Sequence, residues 1–126
     1  MIAIYFKRRQ EGFRYAFNPP IEGTFQLVKR NDQPLNMKPG AAKIIDLSPN
    51  GIRLSTGLDI PAKGMGWEIL TTFTLNEVPI SLYGTFAWKK KSDDGFYYGI
   101  ECKNRPETQE MVVREMKKYI KSTLTL

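Results

Sequence analysis

Histidine is missing from the 126-residue sequence, and cysteine occurs once, at Cys102. Without an imidazole, histidine-based acid–base catalysis and ordinary zinc sites drop out; no nucleophile with its base, no metal-ligand cluster and no phosphate loop is suggested either, so neither a metal site nor an enzyme is expected. A lone thiol cannot close an internal disulfide, which fits a reducing compartment. Long apolar runs are lacking as well: none approaches the roughly 20 residues of a membrane-spanning helix. The opening stretch Met1–Phe6 is apolar but short, and the basic triplet Lys7-Arg8-Arg9 follows it, the reverse of a signal peptide. These shortages predict a soluble cytoplasmic protein. Internal repeats and low-complexity segments are also missing.

What is present suits a single domain. The length and a hydrophobic content of 41% suffice for one buried core and leave no room for a second domain or a separate output domain. Nineteen Lys and Arg against thirteen Asp and Glu give a net charge of +6, which favours an anionic partner such as nucleic acid, a nucleotide phosphate or an acidic protein face.

Apolar residues recur with a period of two along most of the chain. Phe13–Phe17 alternates rings with Arg14 and Ala16, and Asn18-Pro19-Pro20 is expected to end that strand. Glu22–Lys29 and Ala41–Asp46 read as further strands, separated by the polar, proline-broken segment Asn31–Gly40. Trp67, Ile69, Thr71, Phe73 and Leu75 share one face of the next strand, and Leu82, Gly84, Phe86 and Trp88 share one face of its successor. Both tryptophans are therefore expected in the core or at its rim. Ser92-Asp93-Asp94-Gly95 forms a hairpin to Phe96–Cys102. The period then changes: Val112, Met116, Ile120 and Leu124 fall on one helical face, with Pro106 tolerated in the first turn and Lys117, Lys118 and Lys121 near the carboxyl end. That face is a lid on the strands or a homodimer surface. The pattern predicts a mainly β protein, a six- to seven-stranded antiparallel β-barrel with a C-terminal α-helix over about 106–122. Residues 1–12 form an N-terminal arm and 13–126 the single domain.

The most informative stretch is Asp46-Leu47-Ser48-Pro49-Asn50-Gly51. Two short apolar runs, Ile44-Ile45 and Ile52-Arg53-Leu54, flank a Pro-Asn-Gly corner, so the stretch reads as strand, turn and strand. Asn50 and Gly51 tolerate the positive φ that such corners often need. Adjacent Asp93 and Asp94 diverge and make no catalytic pair. Lys89-Lys90-Lys91 solvates a hairpin end.

The order of an arginine segment, a strand and Asp46-x-Ser48-x-x-Gly51 resembles the PilZ family of cyclic di-GMP receptors. Gly84-Thr85-Phe86-Ala87-Trp88 is similar to that family's glycine-to-tryptophan strand, and Tyr98-Gly99-Ile100-Glu101-Cys102 to the strand after it. The resemblance implies a six-stranded barrel whose amino-terminal arm folds over cyclic di-GMP. It also implies a ligand site of Arg8, Arg9, Arg14, Asp46, Ser48, Asn50 and Gly51. One feature departs from the family: Gln10-Glu11-Gly12-Phe13 stand between Arg9 and Arg14, one residue more than in the family's Arg-x-x-x-Arg arm.

The residue chemistry suits such a ligand. A guanidinium meets a phosphate or the O6/N7 edge of guanine with paired hydrogen bonds, and a carboxylate accepts from guanine N1 and N2. Three readings follow. The first is a cyclic di-GMP effector whose changed surface is read by a downstream protein. The others are a degenerate PilZ adaptor that binds protein alone, and a small basic barrel that binds single-stranded nucleic acid.

Overall fold

The computed structural model describes residues 3–7 and 12–124, with side chains from residue 13 onward. Among the described residues, eight strands precede one helix: β1 (Ala3–Lys7), β2 (Gly12–Arg30), β3 (Gln33–Pro34), β4 (Gly40–Ser48), β5 (Gly51–Thr56), β6 (Trp67–Leu75), β7 (Val78–Lys91), β8 (Phe96–Glu101) and α1 (Pro106–Leu124). All neighbours pair antiparallel. The order β2-β4-β5-β8-β7-β6 returns from β6 to β2, which closes six strands into a ring, while β1 and β3 attach to β2 outside it. Gly23, Thr24 and Phe25 form the seam, pairing with β4 on one side and β6 on the other. The mainly β, closed antiparallel architecture with a C-terminal helix is the expected one.

Alternation builds the core. Ile69, Thr71, Phe73 and Leu75 are buried along β6, as are Ile80 and Leu82 on β7 and Ile52 and Leu54 on β5. Asn76 and Glu77 take φ of 53° and 65°, the left-handed pair that a two-residue hairpin demands, and so join β6 to β7.

Two boundaries differ from expectation. Asn18-Pro19-Pro20 does not end a strand, because β2 runs through it to Arg30. The register with β4 jumps from Ala16↔Asp46 to Ile21↔Ile44, so the prolines lie in a bulge where no ladder N–H is required. Residues 1–12, expected as an arm, include a strand. Ala3-Ile4-Tyr5-Phe6 is rich in β-favouring residues and pairs with β2 from Ala3↔Ala16 to Lys7↔Gly12.

The helix covers the ring with the expected stripe. Val112, Met116 and Ile120 are buried, Tyr119 meets the rings of Tyr15 and Phe17 edge-on, and Leu124 lies beyond the contact with 64% exposure. Asn76 Nδ2 donates to the Glu115 carbonyl at 2.8 Å, which pins the helix to the β6–β7 turn. Among the described residues, no helix is long and apolar enough to cross a membrane.

Candidate ligand-binding cleft

The corner between β4 and β5 is held from behind. Asn104 Nδ2 donates to the Pro49 carbonyl at 2.7 Å, the Cys102 N–H to the Asn50 carbonyl at 2.8 Å, and Gln109 Nε2 to Asn50 Oδ1 at 3.1 Å. The turn is thereby tied to the segment that starts α1. Neither Asn50 nor Gly51 adopts a positive φ, contrary to the expectation for this corner. Gly51 sits in close quarters instead: a Cβ there would lie 3.2 Å from the Ile100 carbonyl oxygen, a tight approach, with Ser48 Oγ at 3.4 Å and Arg14 Nη2 at 3.7 Å, both ordinary contact distances. Ser48 Oγ makes a long bond of 3.4 Å to the Gly51 carbonyl.

Asp46 owes its position to a second bulge. Strict alternation would place Asp46 and Ser48 on the core face with Ala42 and Ile44. The β4–β5 register skips Ile45, which reverses the phase: Leu47 enters the core and Asp46 turns toward the cleft. There Asp46 is buried, and its carboxylate lies between two guanidiniums. Arg14 Nη1 donates to Oδ1 at 2.6 Å, and Arg53 Nε lies 3.0 Å from Oδ2. The second contact is ionic only. Its N–H is misaligned, and Nε is a buried nitrogen with no hydrogen-bond partner among the described residues.

A third bulge re-aims Trp88. The β7–β8 register skips Ala87, so Trp88 leaves the face of Leu82, Gly84 and Phe86 and stands outward, opposite Gly99 and 44% exposed. It is therefore not a core residue. Any Cβ at Gly99 would collide with the indole, so the glycine is what allows the ring to lie against β8.

These groups surround a cleft of about 850 Å³. Of the residues predicted from sequence, Arg14, Asp46, Ser48, Asn50 and Gly51 line it together, although Arg14 and Asp46 are far apart along the chain. Arg8 and Arg9 lie outside the described residues. Arg53, Trp88, Asn104 and Gln109 also line the cleft and were not anticipated. For Arg53 a signal existed: with Ile52 and Leu54 inward, alternation turns it outward beside the motif.

The lining carries three cationic side chains, Arg14, Arg53 and Lys103, against the carboxylates of Asp46 and Glu101, an excess that suits an anion. Cys102 stands at its edge with a thiol pushed up to about 12, mainly by burial and further by Glu101. At neutral pH it is a packed thiol, not a thiolate nucleophile. Among the described residues, no group of three or more His, Cys, Asp or Glu could hold a metal ion.

The family model described as PilZ domain matches residues 7–121. Among solved structures, the Bacillus subtilis inhibitor of motility (MotI/DgrA) superposes with a TM-score of 0.62 at 13% identity, over 94% of this chain and 52% of that one. The likeness is one of fold, and the chain spans about half the length of that neighbour. No curated protein matches the chain.

Proposed function

The chain belongs to the PilZ domain family, and from that premise we propose that it binds cyclic di-GMP in the cleft and acts as an effector read by a downstream protein. The observation that supports this reading most is the convergence of Arg14, Asp46, Ser48, Asn50 and Gly51 on one positively biased cleft. Cyclic di-GMP brings two phosphates and two guanines. Arg14 uses one donor on Asp46 and retains the rest of its five for a phosphate or a guanine O6/N7 edge. Asp46, with lone pairs left on both oxygens, accepts from guanine N1 and N2.

The bare backbone at Gly51 admits the ligand to the floor, and Trp88 offers a face on which a base stacks, a contact worth roughly 1–3 kcal/mol. In this reading Arg8 and Arg9, which fall between β1 and β2 in the sequence, close over the bound ligand. The surface presented to a partner protein changes when they do. The engaged Ser48 hydroxyl and the raised Cys102 thiol favour binding over covalent chemistry.

Titration calorimetry with cyclic di-GMP tests the proposal on the native chain, Arg14→Ala and Asp46→Ala. Saturable binding is expected, weakened at least about tenfold by either substitution, since losing one charge-assisted bond costs about 1.5 kcal/mol or more. No binding by a folded native chain at millimolar ligand would overturn it and leave the protein-only adaptor.

A further inference from the structure

We propose that Arg53 is a second anion-contacting guanidinium of the cleft, acting with Arg14 on the phosphates of the ligand, and that Asp46, besides its contact with guanine, sets the spacing of the two. This rests on the reading that the cleft takes cyclic di-GMP. Arg53 belongs to neither the arm nor the Asp46-x-Ser48-x-x-Gly51 corner.

Its surroundings mark it as more than a strut. On β5 it stands between Asp46 of β4 and Gly99 of β8, its partners in both ladders. Gly99 contributes no side chain, so the neighbour on that flank is the Trp88 indole lying over it. An arginine kept for stability ordinarily meets a carboxylate with aligned, often forked, N–H bonds. Arg53 approaches Oδ2 to 3.0 Å without aligning its N–H, and Nε, although shielded from solvent, has no acceptor among the described residues. A buried donor left unmet is costly, and a ligand oxygen would satisfy it. Its side chain remains 42% exposed, within reach of an incoming molecule.

Charge balance points the same way. One carboxylate shared by two guanidiniums leaves a single positive charge on the cluster, which one phosphodiester neutralises. Asp46 takes opposite guanidiniums on opposite oxygens, so its carboxylate sets their separation before any ligand arrives. That arrangement removes part of the ordering cost of binding.

The test titrates cyclic di-GMP into the native chain, Arg53→Gln and Arg53→Lys at low salt (about 50 mM) and high salt (about 500 mM), with thermal melts alongside. Binding by Arg53→Gln should be at least tenfold weaker at low salt, and the gap should narrow at high salt as the charge is screened. Arg53→Lys, which keeps the charge and loses the planar fork, should fall between. If Arg53→Gln does not fold, Arg53→Lys must still bind at least threefold more weakly than native. Equal affinity of native and folded variants overturns the role of Arg53 and leaves the receptor reading standing. If the native chain binds no cyclic di-GMP, the receptor reading fails, and inorganic pyrophosphate becomes the probe. Pyrophosphate binding by the native chain that Arg53→Gln abolishes would sustain the anion site, and its absence would overturn that site too.

Discussion

Separating Arg14 from Asp46 should cost more than separating Arg53 from the same carboxylate, even though both guanidiniums lie within 3.0 Å of it. The Arg14 contact is a short, aligned bond of 2.6 Å to a carboxylate whose side chain is 9% exposed. A hydrogen bond to a charged group contributes roughly 1.5–3 kcal/mol. Because Arg14 keeps 28% of its side chain in solvent, screening brings the expected coupling to the lower part of that range, about 1.5–2 kcal/mol. The Arg53 contact is misaligned and its side chain 42% exposed, so its coupling should be about 0.5 kcal/mol. Urea unfolding of the ligand-free chain gives both numbers by double-mutant cycles, pairing Arg14→Gln, then Arg53→Gln, with Asp46→Asn. The first cycle corresponds to a melting shift of several degrees in a domain this size. Additivity of Arg14→Gln and Asp46→Asn within about 0.5 kcal/mol would refute the argument. So would a larger coupling for Arg53, because alignment and burial would then not be what distinguishes the two.

Two further outcomes follow from groups away from the ligand contacts. The Asn76 amide, with smaller help from Lys118 and Arg114, holds the Glu115 carboxyl below its ordinary 4.5 against the opposing effect of desolvation. Ionised Glu115 therefore stabilises the fold fully above about pH 4.5 and loses that contribution as pH falls through the lower folded value. Melting temperature should accordingly drop more steeply with acid in the native chain than in Glu115→Gln, and parallel acid limbs would contradict this. Cys102, 1% exposed with its thiol near 12, should resist alkylation of the folded chain at about pH 8 and react fully in urea. Stoichiometric labelling of the native chain within minutes would show that the thiol is not packed as described.

The parts of the fold that obey an unbroken period of two were legible in the sequence. Ile69, Thr71, Phe73 and Leu75 are buried as their alternation requires, and the helical stripe of Val112, Met116 and Ile120 packs as its spacing requires. The cleft was legible through its motif and hidden in its geometry, because it is assembled by bulges. Skipping Ile45 turns Asp46 away from the core, and skipping Ala87 does the same for Trp88. A bulge is a property of two strands in register, so neither strand's residues announce it alone. The expected break at Asn18-Pro19-Pro20 failed for the same reason, since β4 supplies the register jump that lets prolines sit inside a strand. At Gly51 the sequence pointed to a positive φ that the corner does not adopt, and the tight approach that a Cβ would make there, to the Ile100 carbonyl oxygen of β8, is set by a strand remote in the chain.

The seam at Gly23–Phe25 has a consequence for synthesis. Its backbone is hydrogen-bonded by β4 on one flank and by β6 on the other. A nascent chain can satisfy the first flank once residue 42 has emerged, but the second waits for residue 73, so for that interval β2 offers an open template for a neighbouring polypeptide. Lys29 and Arg30 stand at the end of that exposed edge, and mutual repulsion between copies would discourage premature pairing on the ribosome.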